Sequence, residues 1–216
     1  MSTEVEIETS VGVAGVALDV PDGATALIVL GHGAGGGVEA RDLLAVRSAA
    51  TTAGLAVART TQPYRMAGRK SPAPAKQLDA AFGEIVAALL TRAGLRDLPV
   101  VTGGRSSGAR VACRTAAATG ARGVVALAFP LHPPGRPDRS RADELHDTPV
   151  PVFVAQGERD PFGSPEEIRA TEPPATVRIH PVPGGDHGLA VRKGEPSAYR
   201  PVADEVVRWV FSLVAG

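Results

Sequence analysis

Apolar and polar residues alternate through much of positions 4–19, as in Val5-Glu6-Ile7-Glu8, and Val13, Val16 and Leu18 follow. Such alternation puts one face of a strand on a core and the other in water, so it predicts two half-buried antiparallel strands, joined as a hairpin. From residue 25 the texture changes. Short apolar runs without alternation recur at 26–30, 55–58, 99–102, 124–129 and 150–155, and a sixth, more polar run lies at 176–182. Runs buried on both faces mark a parallel sheet covered by helices, and the polar sixth belongs nearer an edge. Between the runs lie helical patterns. Leu78, Phe82, Ile85 and Leu89 share one helical face. In the last helix Ser197 can cap, Pro201 sits near the first turn, and Val202, Val206, Val210 and Leu213 form an inward stripe. Strand alternating with helix implies right-handed crossovers and an α/β fold, a mostly parallel central sheet with helices on both faces. The Pro- and Ala-rich stretch 71–75 leads into a helix rather than dividing domains, so the chain reads as one domain, 1–216.

Composition narrows the partners. The 216 residues, 44% of them hydrophobic, suffice for one sizeable core. Lys and Arg number 23, as do Asp and Glu, which removes the global electrostatic case for a nucleic acid or a membrane surface. No run approaches the roughly 18 apolar residues that a membrane span needs. The opening MSTEVEIETS is acidic where a secretory leader would be basic. A single cysteine, Cys113, cannot form an internal disulfide; in an Ala-rich helix it reads as a small buried hydrophobe. The expectation is a cytoplasmic protein, monomer or homodimer, with no nucleic-acid or membrane partner.

The chemistry lies in the loops that follow strands, where ligands collect in such sheets. After the run 99–102 comes Gly104-x-Ser106-x-Gly108, then a helical pattern. A sharp strand-to-helix turn needs glycine on both sides of its serine, and the following helix aims backbone N–H groups at developing negative charge. A serine hydroxyl needs a base, and the base an orienting acid. His187, in Gly184-Gly185-Asp186-His187-Gly188 before the last helix, fits the base better than His32, His146 or His180. Asp160, in the turn after the run 150–155, fits the acid better than Glu158, too near the strand end, or Asp186, too near the base. The oxyanion donors are then the amides of Ala34, in the glycine-rich loop 31–37, and Ser107, with His32 pinning that loop. Read literally, 31–36 is also G-x-G-x-x-G, a dinucleotide fingerprint. Its glycines do not follow the first strand, however, and Arg59 and Thr60 stand where the fingerprint wants an acid. The reading calls for no cofactor and no metal.

The strings GHGAGG, GGRSSGARVA, FPLHPPG, QGERDPFG and GGDHG, in this order, resemble the α/β-hydrolase family that includes bacterial dienelactone-hydrolase-like proteins and the Tex30/KANSL3 proteins. The resemblance implies a serine hydrolase acting on a small ester or thioester, with the triad at Ser106, Asp160 and His187 and the oxyanion segment at 31–36. Dienelactone hydrolases themselves use cysteine at the elbow, so their substrate does not carry over. KANSL3-type members serve a chromatin complex, which makes a non-catalytic interaction module the alternative. Many members of the fold carry a helical lid where this chain has only 130–149, so an open site is expected. Arg65, Arg69 and Lys70 in one loop, and His132 and Arg136 in another, are expected to rim the mouth and to favour an anionic substrate.

Overall fold

The structure, a computed structural model, describes residues 2–214. Strands β1 (Thr3–Thr9) and β2 (Gly12–Asp19) form the expected hairpin, and β2 pairs antiparallel with β4 (Ala56–Thr61). From there the sheet is parallel through β3 (Leu27–Gly31), β5 (Val100–Arg105), β6 (Val124–Leu127), β7 (Val152–Gly157) and β8 (Val177–Val182). Its eight strands run in the order β1-β2-β4-β3-β5-β6-β7-β8. The polar β8 is an edge, which is why Pro181, lacking an amide proton, is tolerated there.

Successive side chains of a strand point to opposite faces, and β3 feeds two cores accordingly. Leu27 and Val29 join the core under α3 (Ala75–Leu89) and α4 (Ser107–Thr115), whereas Ile28 and Leu30 join the core under α1 (Arg41–Thr52) and α7 (Tyr199–Val214). The predicted stripe of α3 is buried, and so is that of α7 except Leu213, which packs half-buried at its end. Truncating a side chain such as Phe82, which has no solvent exposure, should cost about 3–5 kcal/mol. Cys113 is buried, and its burial pushes the thiol up to about 12.

Two strands run past the apolar residues that announced them. β4 continues through Arg59 and Thr60, and β5 through Gly103, Gly104 and Arg105, because the backbone ladders to β3 and β6 persist whatever the side chains are. Both extensions lie at the carboxyl ends, where the loops of the site begin.

Candidate active site

β5 delivers the chain to Ser106, whose backbone lies at φ 52° and ψ −110°. That left-handed φ costs a non-glycine residue on the order of 1–3 kcal/mol. The turn is held on both sides: the Ser106 amide donates to the Leu127 carbonyl at 2.9 Å, and the Ser106 carbonyl accepts from the Arg110 amide at 3.2 Å. Gly104 and Gly108 are required by contact, since a Cβ on either would run into the Gly31 carbonyl oxygen. The elbow therefore packs directly on the start of the glycine-rich loop.

Ser106, His187 and Asp160 come together. The Ser106 Oγ lies 3.0 Å from His187 Nε2, and His187 Nδ1 lies 2.8 and 3.0 Å from the two oxygens of Asp160. A carboxylate can only accept, so Nδ1 carries the proton and Nε2 is free to accept from the serine hydroxyl. The Asp160 side chain has no solvent exposure, against 19% for that of His187. Gln156 Nε2 donates to one oxygen of Asp160 at 2.9 Å and the Phe162 amide to the other at 2.8 Å. The ring of Phe162 stacks on the imidazole at 4.2 Å between centroids. The two rejected acids are engaged in local structure: Glu158 accepts from the Gly184 amide, and Asp186 from the amides of Gly188 and Ala190.

Across the elbow stands the loop of Ala34. His32 pins it, as expected: Nδ1 donates to the Gly33 carbonyl at 2.7 Å and Nε2 accepts from the Gln62 amide at 3.2 Å. Burial holds the His32 pKa below its usual value, the bond to Gly33 opposing and the charge of Arg65 adding to the effect. The hydroxyl of Tyr64, in α2 (Pro63–Met66), donates to the Ala34 carbonyl at 3.0 Å. The Ser107 amide, first in α4, has no intrahelical acceptor, and among the described residues no acceptor faces the amide of Ala34. Both N–H groups are free to meet a ligand. The sequence did not single out Gln156, Phe162, Gln62 or Tyr64, because nothing in their spacing marks them; their roles arise only where separate loops meet.

Some members of the expected basic rim are engaged by local partners. His132 is 6% exposed, its Nδ1 bonded to the Pro133 carbonyl and its Nε2 to Glu167 at 3.2 Å, so neither ring nitrogen is free for a substrate. Glu167 is fixed in turn by the capping box that opens α6 (Pro165–Arg169). Arg136 pairs with Asp138. Arg69 lines a cleft of about 350 Å³ with Glu6, Val13 and Met66, which shares no lining residue with the Ser106 turn. Arg65 is half-buried near His32 and Tyr64, and Lys70 is exposed. Among the described residues no group of three or more His, Cys, Asp or Glu side chains is placed to hold a metal ion, and no helix is long and apolar enough to cross a membrane.

Comparison with known proteins agrees with this architecture. Residues 24–215 match a family described as an alpha/beta hydrolase domain. No curated protein sequence matches the chain. Among solved structures, an alpha-beta serine hydrolase homologue from Coxiella burnetii superposes with a TM-score of 0.77 at 15% identity, covering 96% of this chain and 97% of that one. A serine hydrolase without lid from Xanthomonas campestris gives 0.75 at 20% identity, covering 97% and 94%. A dienelactone hydrolase from Anabaena variabilis gives 0.76 at 21% identity, covering 98% of each chain. At these identities the likeness is one of fold.

Proposed function

The chain belongs to the alpha/beta hydrolase family, and from that premise we propose that it is a serine hydrolase cleaving a small ester or thioester by acyl transfer to water. The observation that carries this reading is the hydrogen-bonded line from buried Asp160 through His187 to Ser106 Oγ, set on a turn held at positive φ. As Ser106 Oγ attacks the carbonyl carbon, His187 Nε2 takes its proton, and the imidazolium is stabilised by the Asp160 carboxylate, which stays ionised. The oxyanion is received by the amides of Ala34 and Ser107. His187 then returns the proton to the departing alkoxide or thiolate, leaving the acyl group on Ser106. Water, deprotonated by the same imidazole, attacks the acyl-enzyme and regenerates the hydroxyl.

The surroundings favour small substrates. Residues 130–149 contain one short helix, α5 (Ala142–His146), too little to form a helical lid. The recess beside Ser107, lined by His32, Gln62, Tyr64 and Val111 among others, measures about 10 Å³, room for one water. No long acyl chain would be enclosed there.

A fluorophosphonate tests the reading with the least assumption about substrate, since it asks only for an activated serine and a place for negative charge. Wild-type protein should be phosphonylated on Ser106 and should hydrolyse p-nitrophenyl acetate; Ser106→Ala should do neither while remaining folded. A folded wild-type protein inert to both reagents would favour the interaction module instead.

A further inference from the structure

Arg105 is the residue before the nucleophile, and its side chain does not turn away from the site. Nε lies 2.9 Å from Asp42 Oδ2, and Nη2 donates to the backbone carbonyl of His187 at 3.2 Å. Asp42 is 3% exposed and stands in the first turn of α1, the helix that follows the Ala34 loop. One oxygen of Asp42 accepts the Leu43 amide at 2.8 Å, while Oδ2 has the ion pair with Arg105 but no well-aligned hydrogen bond. Removing Arg105 would thus leave a buried carboxylate without its counter-charge.

We propose that Arg105, anchored by Asp42, is a positioning residue that holds the His187 loop at its working distance from Ser106; this rests on the hydrolytic reading above. The hydrogen bonds of the loop 183–188 give the reason. Those made by Arg159 and Glu158 tie it to the Asp160 side, and those made by Asp186 close it on itself. Among the described residues, the bond from Arg105 is its one backbone tie to the elbow. Without it, no backbone bond ties this loop to the elbow, and the approach of Nε2 to Oγ is set only from the Asp160 side, on a loop that leaves an edge strand. A misplacement of about 1 Å in such a pair costs on the order of 100-fold in rate. The same guanidinium reaches the beginning of α1, so the nucleophile, the base and the helix after the candidate oxyanion loop are braced from one point.

The test uses p-nitrophenyl acetate turnover, fluorophosphonate labelling and thermal unfolding on wild type, Arg105→Gln, Asp42→Asn and the double variant. Arg105→Gln should lower kcat roughly 10- to 100-fold with KM within about twofold, and should slow labelling in parallel. Asp42→Asn should show the same defect in smaller degree, and the double variant should be no slower than Arg105→Gln, because the two act as one unit. A lower unfolding temperature with unchanged kcat would make Arg105 merely structural and overturn the proposal. A raised KM at unchanged kcat would overturn it too, by placing Arg105 on the substrate. If Arg105→Gln does not fold, Asp42→Asn decides by the same kcat and KM criteria. A wild-type protein inert to both reagents defeats the hydrolytic reading and this one together, whereas a reactive wild type with unaffected variants defeats this one alone.

Discussion

The loops of His187 and His32 both follow parallel strands, both approach Ser106, and both carry a histidine among glycines, yet they do opposite things. His187 presents Nε2 to a hydroxyl and Nδ1 to a buried carboxylate, with part of the ring still open to solvent. His32 spends both nitrogens on backbone, donating to Gly33 and accepting from Gln62, and is 3% exposed. On the proposed reading the first gains and loses a proton during the reaction; the second is a neutral strut. What separates them is the partner at each nitrogen, and a glycine-rich neighbourhood says nothing about that.

The comparison breaks most visibly at its acid. Asp160→Asn should lower kcat about 10⁴-fold with KM little changed, since an amide favours the wrong imidazole tautomer and cannot stabilise the imidazolium; near-wild-type turnover would remove Asp160 from the site. His32→Gln should instead act on stability. It removes the Nε2 acceptor of the Gln62 amide, for a loss of about 1–3 kcal/mol in chemical denaturation, while kcat falls about tenfold or less through slackening of the Ala34 loop.

A third expectation sharpens the contrast through pH. Burial depresses the His32 pKa in the folded state, so below its usual value of 6.5 the unfolded chain takes up a proton that the folded one resists. Stability from this group is therefore full above that pH and declines as pH falls through the folded-state value, by at most about 1.4 kcal/mol per pH unit. Denaturant midpoints of His32→Gln should lose part of the acid slope seen in wild type. The remainder includes His180, also depressed by burial. The smallest effect belongs to His132, whose ring nitrogens already bond Pro133 and Glu167: His132→Gln should change kcat/KM for a carboxylate-bearing ester by less than about twofold. A larger loss would restore the anionic rim.

The sheet was legible because burial on both faces forces continuous apolar runs, and β1 because burial on one face forces alternation; β2, expected half-buried, is instead buried throughout Val16–Asp19, since it lies inside the sheet between β1 and β4. The turn at Ser106 was legible for a comparable reason, as its backbone tolerates nothing but glycine at 104 and 108. His187 and Asp160 could be placed from chain order relative to strands. The local engagement of His132 and Arg136 could not, since loop position says which end of the sheet a residue occupies but not whether a neighbour such as Glu167 or Asp138 pairs with it. Arg105 escaped notice for the converse reason: a charged residue next to a nucleophile reads as solvent-facing until Asp42, far away in sequence, is found beneath it.

The backbone of Ser106 has a consequence beyond catalysis. A φ of 52° at a serine is held against a conformational preference that glycine lacks, so Ser106→Gly should fold at least as firmly as wild type while abolishing acyl transfer. The serine side chain thus opposes stability, and selection on folding alone would not retain it. In a lineage freed from its chemistry, drift at this position would be unopposed by the fold and even assisted by it. On the proposed reading, serine at the elbow of a related chain would mark retained turnover, and glycine in its place a scaffold turned to other use.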